Sequence, residues 1–96
     1  MITEIAMLYV KGGPEKKFER DFVLTGQYIT SIDGYVTHSL CRCIELENKY
    51  MLQVKWNSLE AHTIGFRNSE VYQKWSDLLH HYYDPFPIVE HFEEII

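Results

Sequence analysis

Residues 51–75, MLQVKWNSLEAHTIGFRNSEVYQKW, decide how the chain is read. Tyr50, Leu52, Val54 and Trp56 alternate with Met51, Gln53 and Lys55, which is the period of a strand ending at Trp56. Asn57 stands where an N-cap belongs, and Glu60 three residues on completes a variant capping box. A short helix carrying Leu59, Ala61, His62 and Phe66 follows, and Gly65 loosens its end. Asn68-Ser69 caps a second helix with Glu70 in its first turn. There Val71, Trp75, Leu78, Leu79 and Tyr82 recur at i, i+4, i+7, i+8 and i+11. A strand therefore feeds a helix broken in two at Arg67-Asn68-Ser69.

Outward from this stretch, Tyr35 to Glu45 reads as a strand. Glu47-Asn48-Lys49 is a tight polar turn, so the two strands form an antiparallel hairpin. Asp33-Gly34 is a turn. Ahead of it lies a helix opened by Pro14 as its first helical residue, where the missing N–H costs nothing. Phe18, Phe22, Thr25, Ile29 and Ile32 form its buried stripe. Ile2 to Val10 is a first strand, with Ile2, Ala6, Leu8 and Val10 on one face and Ile5, Met7 and Tyr9 on the other. Glu4 is the exception to the first face. Asp84-Pro85-Phe86-Pro87 breaks the last helix, and Ile88 to Glu93 forms a final strand.

The order β-α-β-β-α-β, with the second helix broken, is an α+β ferredoxin-like arrangement: a four-stranded antiparallel sheet with helices on one face. The 96 residues make one domain, 1–96. The opposite sheet face also carries apolar residues, and in so short a chain the simplest cover is a second copy, sheet against sheet.

Aromatic residues are 15% of the chain, which is rich for a small domain and calls for a core, a pocket or an interface. The net charge is −5, and no Lys/Arg run exceeds Lys16-Lys17, which disfavours nucleic acid and anionic membranes as partners. No apolar run approaches the roughly 20 residues of a membrane span. Met-Ile-Thr-Glu-Ile at the start lacks the basic region of a secretory signal, so the cytoplasm is the expected compartment. Cys41 and Cys43 share one face of a strand, a poor geometry for a disulfide, and read as buried or half-buried thiols.

Val54-Lys55-Trp56-x-Ser58-x-Glu60-Ala61-His62, Gly65-Phe66-Arg67-x-Ser69, Tyr72, Trp75 and the tail Pro87-x-Val89-Glu90-His91-Phe92 resemble the antibiotic biosynthesis monooxygenase family. The resemblance runs nearly end to end. It implies a homodimer forming an α/β barrel, and a cofactor-independent monooxygenase acting on a small aromatic or quinol-type substrate. The family is functionally mixed, so two alternatives stand beside this: a non-catalytic dimer that binds a small ligand or haem, and an isomerase of a small carbonyl metabolite. The haem degraders use a first-strand Asn, a Trp in the broken-helix region and a later His. This chain offers Ile5 and Ala6, Phe66 and Ser76 at those places, which argues against haem cleavage.

His62, one turn into the helix after Trp56, is the candidate base: a neutral imidazole there would take a phenolic or α-carbonyl proton. The plainer alternative is a histidine that holds the broken helix. Tyr72, at a helix start, would aim its hydroxyl at a ligand. Trp56, Phe66 and Trp75 would wall the pocket or simply fill the core. Arg67 would cap the short helix or orient an anionic substrate. His91 would meet His62 across the sheet or lie at a dimer interface. His80 and His81 point about 100° apart on a helix and do not chelate, so a favourable helix-dipole role suffices for them. None of the five histidines sits at a metal-binding spacing. No metal and no cofactor is expected.

Overall fold

The structure, a computed structural model, describes residues 1–96. Its elements are β1 (Ile2–Tyr9), α1 (Glu15–Ile29), β2 (Tyr35–Arg42), β3 (Lys49–Trp56), a π-helical turn (Ala61–Phe66), α2 (Glu70–Leu79), a 3₁₀ turn (His80–Tyr82) and β4 (Val89–Glu93). All sheet pairings are antiparallel, in the order β2-β3-β1-β4. This is the ferredoxin-like α+β fold expected from the alternation. No helix is long and apolar enough to cross a membrane.

Register explains which residues meet. Glu4, Ala6 and Leu8 of β1 lie opposite Val54, Leu52 and Tyr50 of β3. The period of two sends all six to one face, and there each is buried. On α1, Phe18, Phe22, Thr25 and Ile29 recur at helical spacing and are buried against this face. Thr25 enters the core without cost because its hydroxyl donates to the Phe22 carbonyl at 2.7 Å. Trp75 and Leu79 of α2 and Tyr82 of the 3₁₀ turn complete the layer. Rings dominate the packing: Phe18 lies 5.0 Å from Tyr50 and 5.4 Å from Tyr82, and Phe22 meets Trp75 at 5.4 Å.

Several boundaries differ from expectation. Pro14 is the N-cap of α1 rather than its first helical residue, since its carbonyl accepts the first helical bond, from Phe18 N–H at 2.9 Å. The cap of the short helix is Ser58, whose Oγ accepts from Ala61 N–H at 3.2 Å. Asn57 instead gives its backbone N–H to Gly34 at 2.7 Å, tying the end of β3 to the start of β2. Strand β2 ends at Arg42, not Glu45, and the hairpin loop is longer than a tight turn. The last ladder bond, Cys43 N–H to Lys49 carbonyl, is followed by a turn closed from Lys49 N–H to Leu46 carbonyl, which leaves Ile44 94% exposed. Strand β4 begins at Val89, one residue later than expected. Cys41 is exposed rather than buried, and Cys43 is half-buried. Cys41 pairs with Met51 on the sheet face that no helix covers.

Gly34 sits at φ +91°, and a Cβ there would come within 2.6 Å of the Ala61 Cβ. A glycine is needed both for that backbone angle and for the close approach. It lets the turn before β2 pack directly under the helical turn that carries His62.

Candidate active site

Three polar side chains are buried: Glu4, Thr25 and His62. Thr25 is satisfied within its own helix. The other two, ionisable groups 5% and 3% exposed, are partners of each other.

Each is placed by a different element. Glu4 takes an inward position of the central strand β1, where the alternation calls for an apolar residue. His62 lies in the π-helical turn, whose wider winding is visible in the bond from Arg67 N–H to His62 carbonyl, at 3.1 Å and five residues apart. Such turns reorient single side chains and recur at functional sites. Here the turn swings the His62 imidazole onto Trp56, stacked at 5.3 Å with 20° between the planes.

The polar contacts form one chain. Trp56 Nε1–H donates to Glu4 Oε1 at 3.0 Å. His62 Nε2 lies 3.3 Å from the same oxygen. On the far side of the ring, His62 Nδ1 lies 2.8 Å from His91 Nε2. His91 is the direct cross-strand neighbour of Glu4, on β4.

Burial dominates the titration of these groups. It pushes the Glu4 carboxyl above its ordinary value, against the opposing pull of the Trp56 N–H and the Arg67 charge. It pushes His62 down to about 3, helped by Arg67 and His91. His91 is also lowered, by burial and by Arg67. His62 is therefore neutral at physiological pH. Burying ionisable groups is costly even when they are paired, so this couple adds little to the stability of a small domain and marks a candidate functional site.

These shifts fix a pH dependence. His62, His80 and His91 all have lowered values in the fold. Below their ordinary value near 6.5 the unfolded chain binds more protons than the folded one, so stability falls with pH, the His62 contribution continuing to about 3. Glu4, raised from 4.5, acts in the opposite sense above that value, because there the folded chain holds the extra proton. With three histidines against one carboxyl, the melting temperature should drop between pH 7 and pH 5. A melting temperature that rises over that range contradicts the neutral buried histidines.

Beside the chain lies a cavity of about 360 Å³ between the sheet and the helical layer, bordered by Phe86 and Pro87 of the segment that leads into β4. Its lining includes Glu4, His62, Phe66, Arg67, Tyr72 and Trp75. The structure thus brings His62, Tyr72, Phe66, Arg67 and Trp75 to one space. Trp56 and His91 stand behind it and hold His62. Phe66 is wedged between Tyr72 at 5.1 Å and Trp75 at 5.6 Å, both edge to face. Tyr72 is fixed by the Ser69 cap, whose Oγ accepts the Tyr72 N–H at 3.2 Å. The Arg67 backbone closes the helical turn while its side chain, with no acid partner, edges the cavity.

Two residues of this space escaped the sequence reading. Glu4 was visible as the exception in the β1 alternation, but its partners lie 52 and 58 positions away. His80 was read as a helix-end charge. It instead lines the cavity, bonded through Nδ1 to Ser76 Oγ at 2.8 Å and packed against Phe86 at 5.0 Å. Burial lowers its pKa, so a dipole-stabilised cation is not its role.

The sequence profile of the family described as antibiotic biosynthesis monooxygenase matches residues 1–78. An uncharacterized Bacillus subtilis (strain 168) protein, YczJ, is 50% identical over 95 residues, covering 99% of this chain and all of its own. A Bordetella bronchiseptica structure named for the antibiotic biosynthesis monooxygenases superposes with a TM-score of 0.94 at 29% identity, over 99% of this chain and 97% of that one. SnoaB of Streptomyces nogalater, a cofactor-independent oxygenase, superposes with a TM-score of 0.85 at 20% identity, over 99% and 93% of the two chains. At that identity the likeness to SnoaB is one of fold.

Proposed function

The chain belongs to the antibiotic biosynthesis monooxygenase family, and from that premise we propose that it is a cofactor-independent oxygenase of a small aromatic or quinol-type substrate. The observation that carries this reading is the buried Glu4–His62 couple at the wall of an aromatic-lined cavity. A flat phenolic ring fits a space bounded by Phe66, Tyr72 and Trp75. The couple supplies the one thing such chemistry needs from a protein, a proton acceptor in an apolar site.

The steps balance without an external reductant. For an anthrone-type ring carbon carrying two hydrogens, the couple takes one proton and leaves an electron-rich carbanion. The carbanion reduces dioxygen and a carbon–oxygen bond forms. The proton passes to the distal oxygen, giving a hydroperoxide. Loss of the second hydrogen as a proton makes the carbonyl and breaks the O–O bond, and the hydroxide released takes up that proton as water. One oxygen atom ends in the product and one in water.

In this reading Tyr72 and Arg67 orient the substrate's oxygens, and the protein works in the cytoplasm as a homodimer. The sheet face without helices supports the dimer: Met7 is 38% and Phe92 51% exposed there, beside Ile5 and Met51. Light scattering should give twice the 11.4 kDa chain mass. Met7→Glu combined with Phe92→Glu should return it to one chain, and an unchanged mass would place the interface elsewhere.

The function is tested by oxygen uptake with a panel of anthrones, quinols and flavonols, using His62→Ala as the control. Uptake that disappears in the variant supports the reading. Uptake that is unchanged removes His62 from the mechanism.

A further inference from the structure

We infer that Glu4, His62 and His91 form a proton relay, with Glu4 meeting the substrate in the cavity and His91 delivering the proton to the β4 side. This rests on the cavity being the site of proton abstraction.

The geometry separates the three roles. Both nitrogens of His62 are engaged, with Glu4 at 3.3 Å and His91 at 2.8 Å, so its ring offers a ligand no free lone pair. Glu4 Oε1 is occupied by Trp56 and His62. Glu4 Oε2 makes no hydrogen bond, and no buried side-chain oxygen lacks a partner. Oε2 is therefore the oxygen with open space before it, in a residue that lines the cavity. His91 does not line the cavity and is only half-buried. The chain leads from the cavity wall, through a ring 3% exposed, to a half-buried ring on β4.

The proton inventory closes in two arrangements. With Glu4 ionised, His62 donates from Nε2 to Glu4, His91 donates from Nε2 to His62 Nδ1, and His91 Nδ1 is bare. With Glu4 protonated, Glu4 donates to His62 Nε2, His62 donates from Nδ1 to His91 Nε2, and His91 carries its proton on Nδ1. The two differ by one proton, gained or lost at His91 Nδ1. From the protonated arrangement, Glu4 Oε2 takes the substrate proton while the Oε1 proton passes to His62 Nε2, the His62 Nδ1 proton to His91 Nε2 and the His91 Nδ1 proton to water. His62 stays neutral in both, in keeping with a ring whose protonation lies far below neutrality. The charged and titratable groups facing the relay are Arg67 from the π-helical turn, with Trp56 of β3 as a fixed donor. Because Trp56 holds Glu4 by a donor-only N–H, the carboxylate cannot turn away as its charge changes. The Oε2 proton then goes to the peroxide, and the proton shed at His91 returns through the relay to restore the protonated arrangement, so none is lost overall.

The test uses ¹⁵N-histidine NMR, which reads tautomers without a substrate. Between pH 5 and 9, His62 and His91 should exchange tautomers in step, with His62 never becoming an imidazolium. In Glu4→Gln both should be locked in one tautomer across the range. Independent titration of the two rings, or a His62 response unchanged by Glu4→Gln, overturns the relay. A kinetic arm separates this from the oxygenase reading. His91→Ala should lower uptake about 10²-fold, and added imidazole should restore it in His91→Ala but not in Glu4→Gln. Full activity in His91→Ala sinks the relay and leaves the oxygenase. Coupled tautomers in a protein that consumes no oxygen keep the relay and sink the oxygenase.

Discussion

Glu4→Gln should lower oxygen uptake by about 10²–10⁴-fold, the usual contribution of a positioned acid or base, while the melting temperature at neutral pH stays level or rises. The two halves of this result have one cause. Glutamine keeps an acceptor for the Trp56 N–H and a polar contact for His62, so the packing survives. It removes a carboxyl whose ionisation the fold opposes by burial. Above the raised pKa that opposition reduces stability, and the variant is free of it. A purely structural Glu4 gives the reverse pattern, with lower stability and activity lost only as the protein unfolds. The pairing of an inactive variant with an undiminished melting temperature is therefore the signature of a functional carboxylate.

Trp56→Ala should have the largest effect on stability. Trp56 is fully buried, stacks on His62, meets Tyr35 edge to face at 6.2 Å and donates to Glu4. Losing the ring costs about 3–5 kcal/mol, a large share of the roughly 5–15 kcal/mol that holds a domain of this size together. Chemical denaturation measures it directly. Trp56→Phe divides the effect, since the ring mostly remains and the N–H goes. The Trp56 hydrogen bond favours the charged carboxylate, so its removal should push the Glu4 pKa higher still. The acid limb of the pH–rate profile should then move to higher pH. A Trp56→Phe protein with an unmoved acid limb would show that the indole acts only as packing.

The legible and illegible parts of this molecule divide along a physical line. The alternation of Tyr50 to Trp56 and the helical recurrence of Phe18, Phe22, Thr25 and Ile29 are local patterns that appear in the structure as read, although Ile32, read with the helical stripe, falls in the turn beyond α1 and is only half-buried. Ser69 is likewise a local signal, and it caps α2. The π-helical turn has no such period: Asn57 and Ser58 are both acceptable caps, and in the fold it is the Ser58 Oγ that accepts the Ala61 N–H. His62 was singled out because it follows the Trp56 strand. His91 was named as a residue that would meet His62 across the sheet, and it does so at 2.8 Å, but Glu4 could not be named as the other partner, because it reaches His62 only through the pairing of β1 with β3 and β4. Glu4 looked like a flaw in a strand pattern until the fold supplied its neighbours. His80 was concealed by His81 beside it, since two adjacent histidines at a helix end look like one solvated charge. The site is a product of register, and register is a long-range property.

The most direct measurement is the fate of ¹⁸O₂ in a single turnover of the purified protein with an anthrone or quinol substrate and no added metal or reductant. One ¹⁸O in the organic product for each O₂ consumed, with no hydrogen peroxide released and with turnover suppressed in Glu4→Gln, is the expected result. A substrate that is converted equally well without oxygen would instead identify an isomerase working from the same base. A ligand recovered unchanged from the cavity, with no oxygen consumed, would identify a carrier.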